Sequence, residues 1–193
     1  MQCDDEGTTI ASVVSVLALC AILLGDASMS VGEKATGPAA GIHPLWTEVR
    51  WPFPLDQWGL GRAFACRAVD CGTEVSLYVR PKLGFCNCST GVSDDAELDR
   101  VGDLELLSST FRGLSDGKPI AVGWMTGRSR AYHVSMPYAA ARTAIVIAFN
   151  DKCDVMVSTV VSEREALPDA EQSALAFLNG DLVLRWTEKE FGL

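Results

Sequence analysis

"RTAIVIAFNDKCDVMVSTVV", residues 142–161, decides how the chain folds. In "RTAIVIAF" (142–149) apolar residues occupy both alternating sets, so this strand must be covered on both faces. "CDVMVSTVV" (153–161) returns across "NDK", a connection that suits an antiparallel neighbour. Two such strands belong at the centre of a sheet, and the rest of the chain must supply edges and covers.

Upstream, "RAFAC" (62–66) and "TEVSLYVRP" (73–81) flank a short loop, "RAVD". In the second, Val75, Leu77 and Val79 alternate with Glu74, Ser76, Tyr78 and Arg80, the period of a half-buried strand. "KPIAVGWMTGRSRAYHVS" (118–135) reads as a hairpin turning at Thr126-Gly127. That register puts Ile120, Val122, Trp124, Ser129, Ala131 and His133 on one face, and makes His133 a buried core residue. Ala121, Gly123 and Met125 then share the other face with Arg128, Arg130 and Tyr132. Two helices punctuate the strands. Asp94, Glu97 and Gly102 predict cap, third position and stop of a short helix over 95–101. Asp169, Gln172 and Asn179-Gly180 do the same for a helix over 169–179, with Ala174, Phe177 and Leu178 on one stripe. The last segment, "DLVLRWTEKEFGL", fits strand or helix. Runs of strands without βα alternation give an α+β class: a mainly antiparallel sheet with the 169–179 helix packed on one face.

Before this domain, taken as residues 61–193, the chain changes character. "TTIASVVSVLALCAILLG" (8–25) is uncharged and apolar, and Gly25 and Ala27 follow it as small residues. Residues 1–27 therefore read as a secretory signal peptide or, uncleaved, as an N-terminal membrane anchor. The acidic start "MQCDDE" departs from the basic start of such segments. Residues 28–60 read as a linker that becomes a wrap, with Trp46, Trp51, Phe53 and Trp58 set among Pro44, Pro52 and Pro54. The prolines forbid a regular helix there, so an extended segment lays its aromatics onto the domain.

A formal charge of −9 argues against nucleic acid as a partner, since phosphate contacts need clustered Lys and Arg. An anionic membrane surface is disfavoured equally, leaving membrane contact only through the N-terminal segment.

Outside that segment stand Cys66, Cys71, Cys86, Cys88 and Cys153. In a periplasmic or secreted protein they become disulfides, and the odd count leaves one thiol. Cys66 and Cys71 would face each other across a hairpin. Cys153 is expected to pair with Cys86 or Cys88. The alternative is a zinc- or thiol-dependent site built from Cys66, Cys71, Cys86 and Cys88, or a Cys86/Cys88 redox pair.

No catalytic constellation and no cofactor motif is read. Cys88 with His133 is the nearest to a nucleophile–base pair. "SDDAELDRVGD" lacks calcium-loop spacing and reads as a solvated helix start. "GRSRAY" places Arg128, Arg130 and Tyr132 where they could clamp a small anionic ligand, or else pair with acids of a covering helix. "GRAFAC", "VRPKLGFCNC", "TGVSDDAELDR" and "GWMTGRSRAY" together resemble a group of exported bacterial proteins of unassigned function, over roughly residues 55 to 193. The resemblance implies export and carries no site residues. The expectation is an exported, disulfide-stabilised binding or accessory module rather than an enzyme, its partner a protein or a small anion.

Overall fold

The computed structural model describes residues 46–135, 141–162 and 167–193. The segment read as signal or anchor, His43 and the linker up to residue 45 lie outside the described residues. No helix among the described residues is long and apolar enough to cross a membrane.

Eight strands form one antiparallel sheet among the described residues: β1 (Trp46–Val49), β2 (Arg62–Cys66), β3 (Val75–Lys82), β4 (Phe111–Gly113), β5 (Lys118–Val122), β6 (Met125–Val134), β7 (Arg142–Asp151) and β8 (Asp154–Ser162). Their order is β1-β2-β3-β8-β7-β6-β4, with β5 also paired to β6. The β7–β8 hairpin is central, as its two-sided apolar pattern requires, and the class is α+β.

Covering elements lie on both faces. On one, Phe64, Leu77, Ile147, Phe149 and Met156 pack beneath α3 (Leu167–Leu178) and α4 (Asp181–Phe191). On the other, Ala144, Val146, Ala148 and Val157 meet Leu98 and Val101 of α2 (Asp95–Val101). α2 has the expected ends: Asp94 accepts from the Glu97 N–H at 2.8 Å, and Gly102 follows its last turn. α3 begins before the expected cap. Pro168 suits a first turn because its missing N–H has no helical partner there, so Asp169 falls inside, where the helix dipole favours it. The ambiguous C-terminal segment is α4, closed by Gly192 at φ 69°.

The wrap starts as a strand. Trp46–Val49 pairs with β2 and forms the sheet edge, and Trp46 lies 5.3 Å from Phe177 of α3. Trp51 and Phe53 then close edge-on over Tyr78 at 6.1 and 4.8 Å, and Trp58 stacks on Phe85 at 4.3 Å.

The hairpin register differs from expectation. Val122 pairs with Met125, so the turn is Gly123-Trp124 and Thr126-Gly127 sits inside β6. Gly123 takes the left-handed φ of 57° that a two-residue turn needs. Gly127 is needed for clearance, because a Cβ there would stand 1.9 Å from the Ala148 carbonyl oxygen. Trp124 is consequently 48% exposed rather than buried, and His133 is only half-buried.

Candidate functional site

β3 sends Val75, Leu77 and Val79 into the first core, which aims Tyr78, Arg80 and Lys82 at the opposite face. There the wrap, α2 and the short 3-10 turn Leu104–Leu106 cover them. Arg80 and Lys82 are 3% and 4% exposed. Two buried cations need partners, and Asp103 serves both of them. Its carboxylate accepts from Arg80 Nε at 2.7 Å and Nη2 at 2.6 Å, and lies 2.8 Å from Lys82 Nζ. Arg80 Nη1 donates to both oxygens of Asp56, each at 2.8 Å. Lys82 Nζ also donates to the Val101 carbonyl at 2.7 Å, and lies 5.5 Å from the Trp58 ring and 5.4 Å from Phe85.

The cluster's electrostatics follow from burial opposed by pairing. Burial lowers the Lys82 pKa despite the Asp103 charge. Burial opposes the charge on Arg80 too, but its carboxylate bonds outweigh that and raise its pKa. Asp56 is held below the usual carboxylate range: desolvation, the largest single influence, raises it, but the Arg80 bond, the Trp58 N–H and the Arg80 and Lys82 charges together outweigh that.

Beside this cluster lies a cleft of about 430 Å³. Leu98, Leu104, Phe111 and Val146 give it apolar walls; Asp99, Arg100, Glu105 and Gln57 give it polar positions. Such size and mixture suit a small-molecule site. The sequence reading passed over Arg80 and Lys82, taking the former for the wet side of a half-buried strand. The signal was the aromatic run at 51–58, able to roof that side.

The arginines of "GRSRAY" are engaged within the chain. Arg128 Nε bonds Asp95, and its Nη2 donates to the Gly117 carbonyl at 2.8 Å. Arg130 Nε donates to the Ser115 carbonyl at 2.8 Å, and its Nη1 reaches Asp99 at 3.1 Å. Tyr132 is buried and its hydroxyl donates to Asp99; burial, then that neighbouring carboxylate, raise its pKa. Acids of the covering helix α2, with the Gly117 and Ser115 carbonyls, take up these donors, which is the second of the two readings of the pattern. Other acids of that helix and its end also correct the reading of "SDDAELDRVGD" as merely solvated: Glu97 pairs with Arg100, and Asp103 is buried.

The structure joins Cys66 to Cys71 and Cys88 to Cys153, and leaves Cys86 as a buried thiol. Cys71 belongs to the short helix α1 (Ala68–Cys71), and Cys66 faces Val75, so that bridge spans a helical turn rather than facing strand positions. "GFCNCSTGV" folds as an Asx turn, Asn87 Oδ1 accepting from the Ser89 and Thr90 N–H groups at 2.9 and 3.2 Å. Its second bridge pins it to the β7–β8 turn. Cys86 Sγ donates to the Lys152 carbonyl at 3.2 Å. Burial, with help from Glu97 and Asp154, pushes its pKa up to about 11, the reverse of what a reactive thiolate needs.

These pairings overturn the zinc or thiol alternative. Cys66, Cys71 and Cys88 have no free thiolate, and no cluster of three or more His, Cys, Asp or Glu among the described residues could hold a metal. With Cys88 in a disulfide, no Cys88–His133 nucleophile pair exists; His133 sits between Arg112 and Thr143 in the sheet. No protein-family model matches the chain, and no curated protein matches it in sequence.

Proposed function

We propose that the chain is an exported binding module, held by two disulfides, that takes a small molecule into the cleft between the wrap and α2. The observation that carries this is a roughly 430 Å³ cleft of mixed polar and apolar lining with two deeply buried cations, Arg80 and Lys82, in its wall. The cations cost desolvation energy, which a purely structural core would avoid by using apolar residues. The disulfides fit an oxidising, non-cytoplasmic location, and we assign it to the bacterial periplasm or the exterior. The apolar leader and the resemblance to exported proteins support the same placement. Alkylation of protein drawn from its native compartment, before and after reduction, tests it: Cys66, Cys71, Cys88 and Cys153 all labelled without reduction would defeat export.

Ligand binding is tested with isotope-labelled residues 28–193 and a set of small neutral and anionic aromatic fragments. Binding fragments should shift the Trp58 indole and the Leu98 and Leu106 amides. They should lose that effect in Leu106→Trp, which fills the cleft. Shifts confined to another surface, or unchanged in the filled variant, would refute the assignment.

A further inference from the structure

We propose that Asp56 occupies the place of the ligand's own acid group: the cleft takes a small monocarboxylate with an apolar body, which displaces Asp56 from Arg80. This deepens the cleft assignment and rests on it. Arg80 is held by two carboxylates of unequal tether. Asp103 is 7% exposed, bonds Arg80 through two nitrogens and also serves Lys82. Asp56 is 34% exposed, bonds a single nitrogen, and rides on a tight turn closed by the Gly59 N–H to the Asp56 carbonyl at 3.0 Å. The second partner is the replaceable one.

Charge then selects the ligand. Swing Asp56 away, and Arg80 and Lys82 face Asp103 alone, leaving one positive charge uncompensated in a buried place. A monoanion restores neutrality. A dianion overshoots the one charge left over; Asp99 and Glu105 line the same cleft, and its remaining cation, Arg100, is paired with Glu97. Carboxylate for carboxylate also conserves the hydrogen bonds to Nη1, so the exchange costs mainly the opening of the turn. Trp58 moves with that turn, and its stacking on Phe85 at 4.3 Å is the contact to be broken. The apolar walls receive the rest of the ligand. Because the closed turn competes with the ligand, the intact protein binds more weakly than one whose turn is released.

The test compares benzoate with benzamide, its neutral counterpart of the same shape, on residues 28–193 and their Asp56→Asn variant. Asn keeps an oxygen for the Trp58 N–H, which bonds Asp56 Oδ1 at 2.8 Å, but removes the negative charge that faces Arg80. Benzoate should bind the variant at least about 10-fold tighter than the parent, with benzamide equal on both. Trp58→Ala, which loosens the same turn and keeps every charge, should also strengthen benzoate binding several-fold. Benzamide binding in the cleft without any benzoate gain in either variant would overturn the exchange and leave the cleft assignment standing. Neither probe shifting cleft residues in any of the three proteins would overturn both.

Discussion

Deleting the two disulfides separately should cost unequal amounts, and the inequality follows from how much chain each encloses. The sequence separations are 65 for Cys88–Cys153 and 5 for Cys66–Cys71. In the chain-entropy account, a crosslink stabilises by restricting the unfolded chain, with a logarithmic dependence on loop length. It gives about 4 kcal/mol for the long loop and about 2 kcal/mol for the short one at 25 °C. Packing narrows the gap. Cys66 is 1% exposed in the first core, so Cys66→Ala also empties a small volume, worth about 1 kcal/mol. The double variant Cys88→Ala/Cys153→Ala should still be the weaker protein. With an m-value of about 2 kcal/mol per M urea, its midpoint falls by about 2 M, against about 1.5 M for Cys66→Ala/Cys71→Ala. The m-value supplies an independent reading: freeing the long loop expands the unfolded chain and should raise m visibly, whereas freeing the short one should not. Equilibrium urea unfolding followed by tryptophan fluorescence measures both quantities. Equal midpoints with unchanged m-values would refute the loop-entropy reasoning.

Two further outcomes follow from the paired charges and the buried Cys86 thiol. Iodoacetamide at pH 8 should leave Cys86 unmodified in folded protein and label it as the pH approaches about 11; peptide mapping that finds it labelled at neutral pH would remove the buried-thiol description. The Gly117 N–H and Arg128 hold the Asp95 carboxyl below its ordinary value, so its stabilisation is full above the unfolded carboxylate pKa of about 4 and is lost as pH falls through the folded one. Urea midpoints should therefore drop below pH 4, less steeply in Asp95→Asn, and an equally steep drop in that variant would contradict the assignment.

How far the sequence could be read depended on whether a pattern had one physical cause or two. Alternation in β3 and saturation in β7 each had one, and both strands were legible. The two glycines of "GWMTG" had two. Gly123 serves a positive φ and Gly127 serves clearance beneath Ala148, and a sequence shows only that each lacks a side chain. The turn was therefore placed at the wrong one, and Trp124 was moved from solvent to core. Arg80 was hidden for a different reason. A charged residue opposite an apolar stripe signals solvent unless something covers it, and the cover begins more than twenty residues upstream. Cys88 and Cys86 are equivalent by spacing and both meet the β7–β8 turn, Cys86 through its N–H on the Cys153 carbonyl at 3.1 Å and Cys88 through the disulfide, a division that spacing does not reveal.

The wide spacing of the second bridge also governs the order in which it can form. Under the export we propose, the chain enters an oxidising space from its N-terminus, and Cys66, Cys71, Cys86 and Cys88 all arrive well before Cys153. Any bond made to Cys88 before Cys153 arrives is non-native, and thiol exchange is then required to reach the native pair. The loop 84–92 reaches its native partner only once the β7–β8 turn exists. Once formed, this crosslink seals the loop onto the central hairpin of the sheet.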